Sequence, residues 1–221
     1  MYIVAYKELI TYLAVPATIL QFLSGILVSK QYVYNKTTGE ATPLPFVFGV
    51  LSCTLWLMYG LAKPDNVIAF LNVFGVLMMI SYVIVFYIYT IKKSVVLREI
   101  LVTVVTSLFM IGYFCIEEDY EFLLKVLGLS ACSITLLMIA APMSKLYYVF
   151  QTKNTDCLPF PMIVMSFVVS ALWFLYGVAE TDLYILVPNL IGLLLSMTQL
   201  AVFIIIPSKP YMRLPTKSTV A

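Results

Sequence analysis

From Asn66 to Ile91 the chain carries no charged side chain, and a helix needs about 20 apolar residues to cross a bilayer. In hydrocarbon every backbone N–H and C=O must be satisfied within the protein, so such a segment is either a helix or part of a closed barrel. Six further stretches are predominantly apolar, with at most two charges each, which gives seven spans at 8–29, 44–62, 66–91, 98–116, 123–150, 159–179 and 183–206. Each is long enough to cross as a helix, and the expected fold class is an all-α membrane protein. Only 11% of the residues are charged, where a soluble domain carries about a quarter. No small-residue cleavage site follows the first span, so it reads as a retained helix rather than a signal peptide.

Basic residues set the expected orientation. Lys30, Lys36, Lys92, Lys93, Arg98, Lys145, Lys153, Lys209, Arg213 and Lys217 fall on one side, against Lys7, Lys63 and Lys125 on the other. That second side collects Glu8, Asp65, Glu117, Glu118, Asp119, Glu121, Glu180 and Asp182. The N-terminus is therefore expected outside or in a lumen, and the C-terminus in the cytoplasm. Basic residues are too few and scattered for a nucleic-acid footprint.

The chain also repeats itself. Trp56 to Gly75 and Trp173 to Gly192 align without a gap and share Trp56/Trp173, Tyr59/Tyr176, Gly60/Gly177, Ala62/Ala179, Asp65/Asp182, Ile68/Ile185, Asn72/Asn189 and Gly75/Gly192. Spans one to three and five to seven read as copies, with span four between them. An odd spacer gives both copies the same direction in the membrane, which makes them parallel repeats, a plan found among secondary transporters. The expected organisation is 3+1+3: a first repeat over 1–93, a linker helix over 94–120, a second repeat over 121–206 and a short cytoplasmic tail over 207–221.

Depth bears on what the repeated polar residues do. At 1.5 Å per residue, Trp56 lies about 16 Å beyond Pro45 and Trp173 about 21 Å beyond Pro159, well inside a core of about 30 Å. A single Asn in a span commonly serves as interhelical glue. Two Asn, each the same distance from a deep Trp, favour a shared site instead. Amides that donate and accept, beside flat aromatic faces and with no charge at depth, suit a neutral polyol. Proton coupling calls for an intramembrane Asp, Glu or His. No Asp or Glu is expected at depth and the chain has no histidine, so the transport expected is passive, by alternating access. Pro45, Pro142 and Pro159 are candidate hinges, and Gly25 occupies in the first repeat the place of Pro142 in the second. Pro45 and Pro159 also suit a helix's first turn.

Gln21-Phe-Leu-Ser-Gly25, Pro45-Phe46, Trp56-Leu-Met-Tyr59-Gly60, Asn72-Val-Phe-Gly75, Ala141-Pro142, Gln151-Thr-Lys-Asn-Thr155, Leu158-Pro159-Phe160, Trp173-Phe-Leu-Tyr176-Gly177 and Pro188-Asn189 resemble the SWEET (MtN3/saliva) sugar transporters, animal and insect-like members above all. The resemblance runs from about residue 8 to 206. It implies facilitative, bidirectional transport of a mono- or disaccharide such as glucose, with Trp56, Asn72, Trp173 and Asn189 lining the pocket and Ser52 nearby. It maps a hinge to Gly25, Pro45, Pro142 and Pro159, with Gly25 a departure from the proline of plant members. It also implies an outer gate at Tyr59, Asp182 and Pro188, a close-packing role for Gly128, and assembly into oligomers. The plasma membrane is the expected location, with the Golgi or another endomembrane as the alternative.

A seven-helix receptor would lack the duplication. A proton-coupled PQ-loop exporter of a small neutral solute, the nearer rival, would carry intramembrane Asp and a Pro-Gln dipeptide in each repeat, and the sequence has neither. The four cysteines, Cys53, Cys115, Cys132 and Cys157, have no metal-ligand or CxxC spacing and are expected as buried structural thiols. Neither an enzyme active site, a metal nor a cofactor is called for.

Overall fold

The computed structural model describes residues 6–206; the tail with Lys209, Arg213 and Lys217 lies outside them. The described chain is all helix: α1 (Lys7–Leu23), α2 (Gly25–Asn35), α3 (Leu44–Ala62), α4 (Asn66–Tyr89), α5 (Lys93–Ile116), α6 (Tyr120–Thr152), α7 (Phe160–Ala179) and α8 (Leu183–Ile205). Helices α1 and α2 form one 29-residue span interrupted at Ser24, so seven spans are long and apolar enough to cross a membrane. Span one continues to Asn35 rather than stopping at residue 29, and span four begins at Lys93 rather than residue 98. A hydropathy window ends at the first charge. A helix needs no such stop, because Lys and Arg stems extend to the interface while the backbone stays coiled.

Helix ends follow from local chemistry. Asp65, Asp119 and Asp182 are N-caps whose carboxylates accept from the first free N–H groups of α4, α6 and α8, offsetting donors that hydrocarbon cannot satisfy. Lys36 and Lys153, one repeat apart, end α2 and α6 in the left-handed conformation. The α3–α4 and α7–α8 corners close around Gly60 and Gly177. A Cβ at either would lie 2.8 Å from the backbone nitrogen of Ala69 or Leu186.

Packing arranges six spans in a ring. Span one touches span three and span three touches span two; span five touches span seven and span seven touches span six. The ring closes where α1 meets α7 and α3 meets α6, so each copy's first span rests on the other copy's second. Helix α5 packs outside, against α3. One core cluster crosses between the halves at the Asp65/Asp182 end, joining Leu55, Met58, Tyr59 and Ile68 to Leu127, Tyr176 and Ile185. The cluster at the Pro45/Pro159 end, built on Leu146, Val149, Leu158, Ile163 and Val202, stays within the second half. Cysteine burial differs from expectation. Cys53 is buried, Cys132 is half-buried, and Cys115 and Cys157 are exposed: Cys115 because an apolar run in a membrane helix has a lipid face as well as a core face, Cys157 because it lies in the connection between α6 and α7.

Candidate functional site

The site is assembled from residues separated by one fixed offset, 117 positions, the distance from Trp56 to Trp173. Asp182 caps α8 through Oδ1, which leaves Oδ2 to accept from Tyr59 Oη at 2.6 Å and Lys63 Nζ at 2.6 Å. Asp65 does the same at its mirror position. Its Oδ1 caps α4, and Oδ2 accepts from Tyr176 Oη at 2.7 Å. Each tyrosine therefore bonds the cap of the opposite half. Tyr59 is 3% and Tyr176 1% exposed, so this end of the ring is shut by two charge-assisted bonds inside an apolar cluster, the strong kind of hydrogen bond.

Below that plug lies a cavity of about 540 Å³, within the range of roughly 300–1,000 Å³ usual for small-molecule sites. Ser52, Trp56, Asn72, Trp173 and Asn189 all line it, so the structure brings together every binding residue expected from the sequence. Its wall continues through Gly25, Pro45, Pro142 and Met162 toward the Pro45/Pro159 end. No Asp, Glu, Lys or Arg is among the lining residues. Glu99, inside α5, has one carboxylate oxygen buried without a partner among the described residues, but it does not line this cavity.

Each Asn is held by its own helix. Asn72 Nδ2 donates to the Ile68 carbonyl at 2.8 Å, and Asn189 Nδ2 to the Ile185 carbonyl at 2.7 Å. Neither amide makes an interhelical hydrogen bond among the described residues, which removes the geometry that glue requires. One N–H of each amide and its carbonyl oxygen stay free for a ligand. The indole rings stand edge-on to the two tyrosines that bond the caps: Trp56 to Tyr59 at 5.6 Å between centroids and Trp173 to Tyr176 at 5.1 Å.

The remaining expected residues fall in three settings. Pro142 lies inside α6 and Gly25 opens α2 just past the break. Pro45 sits in the first turn of α3, and Pro159 caps α7, the positions where a missing N–H disturbs least. Pro188 is fully buried within α8 but lines no part of the cavity. Gly128 packs against the Tyr184 ring, where a Cβ would come within 2.5 Å. Sequence reasoning missed Tyr176 and Asp65, which form the second tyrosine–aspartate bond between the halves, and Thr18 and Thr135, whose hydroxyls receive the two indole N–H groups. The repeat itself was the available signal, since all four obey the 117-residue offset.

The sequence profile of the MtN3/saliva family, described as "Sugar efflux transporter for intercellular exchange", matches residues 8–94 and again 125–211. The chain belongs to the SWEET family. Relatives named "Sugar transporter SWEET1" include one from Drosophila pseudoobscura pseudoobscura, 34% identical over 94% of this chain and 92% of its own. Another, from Homo sapiens, is 29% identical over 84% of this chain and 85% of its own. These relatives are named as transporters, not enzymes. A eukaryotic SWEET transporter solved at 3.7 Å superposes with a TM-score of 0.82 at 22% identity, covering 93% of this chain and 98% of that one, which carries the fold.

In this SWEET the plug is electrostatically lopsided. Lys63 also approaches Glu180 at 3.5 Å, and Glu180 pairs in turn with Lys7. Burial pushes the Glu180 carboxyl up, but the hydrogen bond and charge of Lys7 and the neighbouring Lys63 outweigh it and hold the group below its ordinary value. Asp65 has no lysine partner among the described residues. One tyrosine–aspartate bond is thus reinforced by a cation and the other, among the described residues, is not.

Proposed function

We propose that this cavity carries a neutral mono- or disaccharide, glucose-like in its hydroxyl pattern, by facilitative and bidirectional alternating access without ion coupling. The observation that carries the reading is the meeting of Trp56, Trp173, Asn72 and Asn189, two from each half, in one uncharged cavity beneath a closed plug. Aromatic rings suit the C–H face of a pyranose, and the free amide groups suit adjacent hydroxyls. Relatives named as sugar transporters support the same substrate class. A proton-coupled exporter of a small neutral solute would need a titratable carboxylate in the pathway, and Glu99 stands outside it.

The basic-residue asymmetry supports an outside or lumenal Asp65/Asp182 end and a cytoplasmic Pro45/Pro159 end, so the arrangement described corresponds to an inward-facing state. The repeats over 1–93 and 121–206 then rock about the linker over 94–120. Gly25 and Pro142 absorb bending within helices, and Pro45 and Pro159 absorb it at helix starts. Tyr59 and Asp182, buttressed by Pro188 and mirrored by Tyr176 and Asp65, form the outer gate. The plasma membrane is the favoured site of action, and assembly into homo-oligomers accords with the resemblance.

Uptake of a panel of radiolabelled mono- and disaccharides into proteoliposomes tests the whole reading. At least one sugar should equilibrate, without accumulation, at equal rates under mildly acidic and mildly alkaline symmetric pH. Accumulation driven by an imposed pH gradient and abolished by an uncoupler would replace passive transport with the proton-coupled alternative.

A further inference from the structure

Each tryptophan of the cavity is bonded to a threonine of the opposite half. Trp56 Nε1 donates to Thr135 Oγ1 at 3.0 Å, and Trp173 Nε1 donates to Thr18 Oγ1 at 2.9 Å. The two threonines are themselves 117 residues apart, so the arrangement is repeated and not incidental. Thr135 gives its own proton to the Ala131 carbonyl at 2.9 Å, which leaves it an acceptor toward the indole. Both threonines line the cavity. Thr18 stands on α1 and Thr135 on α6, at the two seams where the halves meet.

An indole has a single hydrogen-bond donor. Once spent on threonine, it is not available to a sugar hydroxyl, and the ring itself is what remains to offer. Each ring is then fixed at two places, by threonine at its N–H and by an edge contact with Tyr59 or Tyr176. We propose that Thr18 and Thr135 are positioning residues for sugar recognition, orienting the two indole rings across the seams so that the stacking surface is complete only while the halves stand as they do here. The proposal rests on the sugar-site reading. It adds a link that reading lacks: because each threonine belongs to the other half, motion between the halves turns the rings. A sugar that needs both rings in place then favours the arrangement in which both bonds are made, by differential affinity for the two states.

The chain has only two tryptophans, so tryptophan emission, excited at wavelengths too long for its tyrosines to absorb, reports these two rings alone. Full-length Thr18→Val and Thr135→Val keep the side-chain shape and remove the acceptor, while Thr18→Ser and Thr135→Ser keep the acceptor. In sugar-free detergent-solubilised protein, each valine variant should shift emission to the blue and each serine variant should match wild type. In glucose titrations the valine variants should bind roughly three- to ten-fold more weakly, the range expected for one neutral hydrogen bond, with serine restoring affinity to within about two-fold. Where a valine variant does not fold, Thr→Ala removes the same acceptor with less bulk and carries the test. Unchanged emission in the valine variants overturns the bond. Shifted emission with unchanged affinity overturns the positioning role while leaving the sugar site intact. If wild type binds no sugar of the uptake panel, the recognition role falls together with the sugar reading.

Discussion

Lys63 occupies in the first half the position that Glu180 occupies in the second, and the two side chains pair with each other at 3.5 Å across the closed end of the ring. Two copies of one motif have diverged to opposite charges at the place where the halves touch. Lys63 also reaches Asp182, the cap that Tyr59 bonds, so a single ammonium ties three elements of the plug together.

Reversing both charges should rebuild this cluster in mirror image. Lys63→Glu alone strips Asp182 of its cation and sets three carboxylates side by side, which should cost about 1–3 kcal/mol of stability. Adding Glu180→Lys places a lysine where symmetry aims it at Asp65, opposite the new glutamate. Recovery should be partial, because Lys7 would then face a second ammonium in place of the Glu180 carboxylate and has no counterpart in the other half. Melting curves of the two singles and the double form the cycle. Strictly additive losses would mean that Lys63 and Glu180 do not interact in the membrane protein.

The same cluster sets a pH window. Glu180 is held below its ordinary value of 4.5, so its contribution is present above that value and is lost as pH falls through the lowered one. The stability difference between wild type and Glu180→Gln should stay constant from about pH 8 down to about pH 5 and shrink only below that. Thermal melts across this range check it. A difference that fades between pH 8 and 6 would indicate a raised carboxyl and contradict the Lys7 and Lys63 pairing.

Asn72→Ala and Asn189→Ala should each weaken sugar binding by about 1–3 kcal/mol, the cost of leaving a ligand hydroxyl unpaired. The double variant should lose less than the sum, because contacts to one small ligand are coupled. Melting temperature should hardly move, since each amide bonds only its own helix. Titrations beside melting curves separate binding from folding. A drop in stability with affinity intact would return the pair to a structural role.

Much of this arrangement was legible because hydrocarbon allows so few structures. Seven spans and the paired Trp and Asn follow from apolar runs and a gapless alignment. Partner choice was not legible in hydropathy: nothing there says that Tyr59 will bond Asp182 rather than Asp65, which lies far nearer in the chain. That pairing arises because α1 packs on α7 and α3 on α6, which throws each tyrosine across the seam. Thr18 and Thr135 escaped for a different reason. A threonine in a membrane helix usually bonds its own i−4 carbonyl, as Thr54 does and as Thr135 does while also accepting from the indole, so only the shared offset singles these two out in the sequence.

The orientation predicts a negative result at Asn35. Asn35-Lys36-Thr37 is a formal glycosylation acceptor, and it lies where α2 ends, at the Pro45/Pro159 end. With that end in the cytoplasm, the sequon should stay unmodified in eukaryotic expression. An endoglycosidase-sensitive mass shift that vanishes in Asn35→Gln would invert the topology and make the closed plug the inner gate.

Gly25 stands where the second half has Pro142, and the structure ties that departure to a second one. A Cβ at residue 25 would run into the Tyr82 ring, and Tyr82 Oη donates to the Phe22 carbonyl at 2.8 Å, beside the break at Ser24. In the second half the position of Tyr82 is taken by Gln199, whose amide lies 3.4 Å from the Pro142 carbonyl. Glycine with tyrosine and proline with glutamine are thus two solutions to one packing problem. Gly25→Pro alone should overpack the site and cost about 1–3 kcal/mol. Tyr82→Gln alone should open space over the glycine and lose the bond to Phe22. The double variant, which copies the second half, should recover at least about 1 kcal/mol relative to the sum of the singles, since contacting residues couple. Melting curves measure the coupling, and uptake rates show whether a proline hinge in the first half serves as well as the native glycine. If the two losses simply add, Gly25 answers to some constraint other than the Tyr82 ring.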